Sequence, residues 1–520
     1  MLATLVTAVV NGLRGELVRV EVDVAPGLPA CAIVGLPDAS LSEARERVRG
    51  ALRNSGFDYP ASRITVNLAP ADRRKKGAAY DLAIAIGILL ASGQIRNGGG
   101  SWALLGELGL SGEVRAVSGV LPMVTMLARS GHRRVAVPAV NLAEASLVAG
   151  VQAVGVEGLD DAARLIAGPR GRVAAQARRR GGVVVSRTAD AASVRLAGTA
   201  EQVDMADVRG QRHARWALEV ALAGGHNLLM IGPPGAGKTL LARAIPSLLP
   251  ALDDDEALEV AVIESVAGFL RGGALGRRRP FRAPHHTSSY AALVGGGPQL
   301  LPGEATLAHR GVLFLDELPE FDRNVLDALR EPLEEGVVTI ARASGRVRYP
   351  ARFQLVAAMN PCRCGHAGDA QQACRCAVGE AERYVARVSG PFLDRIDLRI
   401  ELSRVAPAEL LDMAPGEPSA AVAARIAAAR RRQRARPPGV VNAALPGARL
   451  QSAALLEPGA RAALAELATA TGMTARGVHR VLRVARTLAD LAERGAVTPE
   501  DLYAATALRG PAAIAERPAA

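Results

Sequence analysis

No apolar run in these 520 residues reaches the ~18 residues that a membrane-spanning helix needs. The start, Met1-Leu2-Ala3-Thr4-Leu5-Val6, lacks the basic n-region of a signal peptide. The expectation is a cytoplasmic protein with no membrane partner. Cysteine is scarce: Cys31 stands alone and the other four crowd between Cys362 and Cys376. That spacing is no disulfide framework, and it suits a reducing compartment. No internal repeat is found, which excludes a solenoid or propeller. The length allows about two to four domains with real cores. Acid is in deficit: Asp and Glu number 51 against 63 Lys and Arg, a formal net charge of +12. Such an excess favours an acidic partner, with nucleic acid the leading expectation; the alternative is an arginine-rich surface with no partner.

The stretch Gly232-Pro233-Pro234-Gly235-Ala236-Gly237-Lys238-Thr239 fits G-x-x-x-x-G-K-[ST]. Asn227 to Ile231 reads as a short buried strand before it, and Leu240 to Leu249 as a helix after it. Glycines let such a loop aim backbone N–H groups at phosphate oxygens, and the helix N-terminus adds positive potential. Lys238 is expected at the β/γ-phosphates of ATP, and Thr239 on Mg²⁺. Downstream, Val312-Leu313-Phe314-Leu315 is an apolar strand ending in Asp316 and Glu317. A buried strand that delivers carboxylates at its C-terminal end is how parallel sheets place catalytic groups. Asp316 is expected in the Mg²⁺ shell and Glu317 as general base for the attacking water.

Taken in order, residues 1–167 alternate short strands with helices, a mixed α+β pattern. Residues 168–203 hold Pro/Gly and the run Arg178-Arg179-Arg180, a basic linker that either touches phosphates or is a solvated tether. Residues 204–402 form the nucleotide-binding core, and 403–520 a helical module with a disordered Ala-rich tail after Gly510. In that module Thr498-Pro499-Glu500-Asp501 is a capped helix start. His285 and His286 sit in a Gly/Pro-rich stretch that is expected to contact phosphate or a partner rather than a metal. Val337 to Pro350 alternates, turns near Gly345 and alternates again, which predicts a β-hairpin with Arg342, Arg346 and Arg348 near its tip. Cys362, Cys364, Cys374 and Cys376 form two C-x-C pairs. They offer a structural Zn²⁺ site, with His366 able to replace one ligand, or else four free thiols.

Two resemblances follow from quoted stretches. Asn67 to Asp81 and Gly119 to Pro138 resemble the Lon-protease-type domain. The family's serine falls at Ala79 and its lysine at Pro122, and neither can act as nucleophile or base. The order GGHNLLMIGPPGAGKT, RPFRAPHHTSS, LAHRGVLFLDELPEF, AAMNPCRCG and SGPFLDRIDL resembles the YifB/ComM family, magnesium-chelatase-like AAA+ ATPases, almost end to end. The resemblance implies an α/β AAA+ core behind a Lon-like (ribosomal S5-like) domain, with a helical lid. It implies a self-assembled ring, a hexamer, acting as a motor on single-stranded or branched DNA in branch migration during natural transformation. It puts Gln211 beside the adenine, Asn360 at sensor 1, Arg476 at sensor 2 and Arg395 as an arginine finger. For Arg395 the alternative is a salt bridge to Asp394 or Asp397. The hairpin is then a pore element whose arginines contact DNA backbone, or an exposed hairpin they merely solubilise. A magnesium-chelatase motor for metal insertion into a tetrapyrrole is the rival reading, and an ATP-dependent peptidase is opposed by Ala79 and Pro122.

Overall fold

A computed structural model describes the chain apart from residues 36–38, 71–76, 99, 170–183, 186–202, 271, 298–299, 343–344, 370, 406–412 and 511–520. Most of the expected linker and the whole Ala-rich tail therefore lie outside the described residues. The chain divides into two compact units, 1–196 with 257–276, and 197–256 with 277–520. The boundaries expected from sequence did not carry the excursion of 257–276. It is held within the first unit by a hydrogen bond from Gly119 N to Ser265 O (2.8 Å) and by the Ser265 hydroxyl on Glu144.

The first unit is built on an eight-stranded mixed sheet. Its order is Val184–Val185, Gln152–Val156, Arg134–Pro138, Ala103–Leu104, Leu2–Asn11, Arg14–Ala25, Arg63–Ala69 and Ala30–Val34. The helix Asp81–Ala91 is apolar on nearly all sides because it is covered on nearly all sides. It comes so close to the sheet that a Cβ on Gly87 would meet Val22 Cγ2 at 2.5 Å. The interior strand Leu2–Asn11 was not anticipated from sequence. Its signal was the dipeptide Asn11-Gly12, with Gly12 at φ 62°, the left-handed geometry of a tight hairpin turn.

The second unit holds a five-stranded parallel sheet in the order Phe281–Arg282, Val312–Leu315, Gln354–Met359, Leu228–Ile231, Leu398–Glu401. Leu228–Ile231, Val312–Leu315 and Gln354–Met359 are buried throughout, as parallel strands covered on both faces must be. One hydrophobic core runs from this sheet through the helix Arg212–Gly224 into the C-terminal helices Ser419–Ala435, Ala475–Leu491 and Pro499–Ala507. Thr498 caps the last of these, its side chain accepting from Asp501 N in a capping box, as the sequence indicated.

That core contains a polar cluster. Asp490 accepts from Arg436 (2.8 and 3.1 Å), Arg486 (2.9 Å) and Asn442 (2.8 Å), with Asp490 and Arg486 both buried. Asn442 also donates to Thr487 Oγ1 (3.0 Å), whose own proton goes to Arg483 O. The His226 Nε2 at 2.8 Å from the same hydroxyl is therefore the donor, and the ring is neutral. Burial lowers the His226 pKa from 6.5 to about 4.

Asp490→Ala leaves the buried Arg486 and the half-buried Arg436 without their carboxylate, and a loss of about 3–5 kcal/mol is expected by urea denaturation; a loss below about 1 kcal/mol would show the cluster to be dispensable. Because the folded His226 binds its proton less readily than the unfolded one, its contribution is intact above pH 6.5 and fades as pH falls toward 4. The urea midpoint of the wild type should drop across that window, and less so in His226→Gln.

Candidate functional site

Three adjacent strands end at one edge of the parallel sheet, and their register decides what meets there. Ile231 lies opposite Met359, and Leu315 opposite Ala357. Gly232 and Asn360 thus emerge level with each other, while Asp316, level with Ala358, leaves the adjacent strand two residues earlier at the same sheet edge. The loop Gly232 to Thr239 then bends into the helix Lys238–Leu248. Gly235 (φ 80°) and Gly237 (φ 89°) take left-handed conformations that a side chain would strain, and a Cβ on Gly232 would strike Leu402 O at 2.5 Å.

Lys238 is buried and fully engaged. Its Nζ donates to Gly232 O (2.7 Å), Pro233 O (3.0 Å) and Asn360 Oδ1 (3.1 Å). Burial lowers its pKa, and the nearby Asp316 and Glu317 oppose that shift. Thr239 Oγ1 donates to Asp316 Oδ2 at 2.7 Å. Two hard oxygen donors so close together fit a Mg²⁺ ion beside a phosphate. Gln211, itself left-handed at φ 49°, reaches across to donate to Ala236 O (3.1 Å) and Ser403 O.

Glu317 is the other left-handed residue here, at φ 53°. For a non-glycine residue this costs about 1–3 kcal/mol, and such strain gathers at working sites. It turns the carboxylate to the side of the strand, where Oε2 lies 3.0 Å from His286 Nδ1. His286 in turn lies against His285, with ring centroids 4.2 Å apart. The sequence placed this histidine pair in a contacting loop; nothing in it pointed to Glu317.

Arg395 and Arg476 are elsewhere. Arg395 pairs with Glu334 and donates to Pro391 O (3.1 Å), so its carboxylate partner is neither Asp394 nor Asp397. Asn227, just before the loop strand, accounts for its placement: its side chain donates to Arg395 O (2.8 Å), and its N–H to Asp397 (3.0 Å). Burial, and then Arg330, Arg476 and Arg480, push the Arg395 pKa down. Arg476, exposed in the first turn of Ala475–Leu491, thus belongs with Arg395 in one arginine cluster.

The hairpin pairs Val337–Arg342 with Gly345–Pro350. Val338, Ile340, Val347 and Tyr349 are buried on one face, while Arg346 and Arg348 stand exposed on the other. The Arg342 side chain and the turn 343–344 lie outside the described residues. The four cysteines come together: Cys362, Cys364 and Cys374 sulfurs are 3.4, 3.7 and 3.6 Å apart, and all four lie within 4.8 Å. His366 is turned away to Asp369 (3.1 Å) and is not in the cluster. The Arg375 N–H, then the His366 N–H, lower the Cys364 pKa to about 6.

Lys238→Ala should abolish nucleotide binding, since it removes the ammonium at the centre of the cradle. Glu317→Gln should bind ATP normally and lose about 10²–10⁴-fold in turnover. Filter binding and phosphate release measure the two separately, and near-normal turnover by Glu317→Gln would remove it as the base.

Three family descriptions match the chain in succession: subunit ChlI of Mg-chelatase at residues 20–141, magnesium chelatase subunit ChlI at 204–410, and its C-terminal part at 416–509. The uncharacterized protein YifB of Escherichia coli is 44% identical over 500 residues, 96% of this chain and 95% of that protein. The competence protein ComM of Haemophilus influenzae is 42% identical over 482 residues, 92% of each chain. The magnesium-chelatase subunit ChlI of Olisthodiscus luteus is 29% identical over only 168 residues, 29% of this chain and 48% of that one. With near-complete coverage on both sides and the AAA+ strand order behind the phosphate loop, the chain belongs to the YifB/ComM family of magnesium-chelatase-like AAA+ ATPases.

Proposed function

We propose that this chain hydrolyses ATP as a ring of subunits, a hexamer, and uses the hydrolysis to move over DNA in the cytoplasm. The observation that carries the ATPase half is the convergence of Lys238, Thr239, Asp316 and Asn360 where three parallel strands end. In this reading Gly232 to Thr239 wraps the phosphates and Lys238 shifts from the loop carbonyls to the β/γ-oxygens. Thr239 and Asp316 would hold Mg²⁺, which when bound neutralises developing phosphate charge. Asn360 orients the lytic water and Glu317 takes its proton, once its carboxylate leaves His286. Gln211 supports the loop from the adenine side. Arg395 and Arg476 cluster away from Lys238, so they serve a neighbouring subunit's nucleotide, with Glu334 holding Arg395 until a neighbour docks.

DNA is supported by the net charge of +12, by the exposed arginine face of the hairpin, and by the 42% identical relative that is a competence protein. Arg346 and Arg348, with Arg342 before them, would line the ring channel. Guanidinium groups bind phosphate bidentately and stay charged, which suits a motor that must pass any sequence. Branch migration of recombining strands is the activity we assign. The tetrathiolate cluster would hold a structural Zn²⁺. The second reading, a motor for metal insertion into a tetrapyrrole, is favoured by the family descriptions alone.

ATPase rate should rise with single-stranded or four-way-junction DNA and not with a chelatase partner subunit; the reverse result selects the second reading. Arg346→Ala with Arg348→Ala should leave DNA-free turnover intact and weaken DNA binding for all sequences. The slope of log affinity against log salt should fall by roughly one unit per contact removed. An unchanged slope places the DNA path elsewhere.

A further inference from the structure

The segment that carries the cysteine cluster touches the phosphate loop, through Gly365 on Pro234. Between Met359 and Glu380 the described residues form no helix or strand. The segment is ordered instead by turns at the cysteines: Gly365 N donates to the Cys362 carbonyl (3.0 Å), Ala367 N to Cys362 Sγ (3.3 Å) and Arg375 N to Cys364 Sγ (3.4 Å). N–H groups aimed at sulfur favour thiolates. Four sulfurs within 4.8 Å cannot be thiolates together unless a cation sits among them. Tetrahedral zinc with Zn–S of about 2.3 Å sets sulfur–sulfur edges of about 3.8 Å, close to the 3.4–3.7 Å found for three of the pairs.

The turn so formed presses on Pro234. Gly365, at φ 87°, passes so close that a Cβ there would lie 2.6 Å from Pro234 Cδ and 2.8 Å from its Cγ. On the other side Arg404 donates to Pro234 O at 3.0 Å, and Arg404 is tied back to the knuckle by Asp369 at 3.8 Å. Asp369 is itself fixed by His366 (3.1 Å). Pro234 is thus clamped between Gly365 and Arg404, both anchored on the segment the cysteines fold. Upstream the same segment begins two residues after Asn360, the partner of Lys238. A cavity of about 720 Å³ opens beside Gly232 and Pro233, with Ala367, Asp369 and Arg404 in its wall.

We propose that Cys362, Cys364, Cys374 and Cys376 bind one Zn²⁺ whose role is to position Pro234, so that affinity for nucleotide depends on the metal. The proposal rests on the reading of Gly232 to Thr239 as the ATP site. Without zinc the turn loses its anchor, the Gly365 contact and the Asp369–Arg404 tie relax together, and the loop N–H groups lose their common aim. The effect falls on nucleotide binding rather than on the proton transfer at Glu317.

The full-length protein tests this with three measurements. Elemental analysis should find about one zinc per chain; metal-free protein with an intact fold overturns the proposal. Removing zinc with a thiol-competitive chelator, and in parallel Cys364→Ser with Cys376→Ser, should raise the Kd of a fluorescent ATP analogue on the order of tenfold or more, reversed in the wild type by added zinc. Gly365→Ala should keep its zinc and show the same weakening, which separates the clamp from general unfolding. Lys238→Ala is the control for the ATP-site reading. If it still binds the analogue, that reading fails. If it does not bind, and zinc-free wild type and Gly365→Ala keep normal Kd, the clamp alone is wrong.

Discussion

Parallel pairing of Gln354–Met359 between Val312–Leu315 and Leu228–Ile231 is the constraint on which the candidate site depends. A parallel ladder fixes which strand ends lie level, and a slip of one residue would turn every side chain to the opposite face. Because all three strands are buried on both faces, packing forbids the slip. Asn360 and Gly232 then emerge level with one another and Asp316 two residues earlier on the adjacent strand, so that Lys238 reaches Asn360 and Thr239 reaches Asp316. Gln354 strengthens the arrangement by donating from the central strand to Ala221 O (3.0 Å) and His226 O (2.6 Å). The helix Arg212–Gly224 is thereby tied to the same sheet.

A second feature of the unit is how much arginine is tied to its own carboxylates and carbonyls. Arg279 pairs with Glu256 (2.7 Å), Arg425 with Glu219 (2.6 Å) and Glu417 (2.5 Å), and Arg436 and Arg486 close on Asp490. Arg430, half-buried, donates to Leu222 O (2.6 Å), and desolvation of its guanidinium lowers its pKa to about 9. These groups join elements far apart in sequence, and the helical module is held to the core by them as well as by apolar contact. The net charge therefore overstates the charge offered to a polyanion. A case for DNA has to be made from arginines on an outward face, and the hairpin supplies Arg346 and Arg348 by strict alternation with the buried Val347 and Tyr349.

Several charged groups of this unit are paired within the chain. Lys238 is satisfied by loop carbonyls, Glu317 by His286, and Arg395 by Glu334. Each pairing keeps a charged group from standing bare, and each offers a group of the kind that phosphate, water or a neighbouring chain would replace. Strain is placed in the same region. Of the non-glycine residues with positive φ, Gln211 and Glu317 both lie at the loop edge, where tertiary contacts over-determine their conformation.

What the sequence by itself determined was whatever is written in one contiguous stretch. The phosphate loop with its strand and helix, the apolar run ending in Asp316 and Glu317, the alternating hairpin, the Thr498 cap and the paired cysteines each carry their own local physics, in periodicity, glycine spacing or capping. Tertiary structure alone decided which distant pieces meet: Gln211 with Ala236, Asn227 with Arg395, Glu334 with Arg395, His286 with Glu317, and Gly365 with Pro234. It also decided that residues 257–276 leave the second unit for the first. Local sequence encodes backbone preference over a few residues. A contact between segments tens of residues apart exists only once a sheet register and a packed core have set both, and no pattern within either segment records the other.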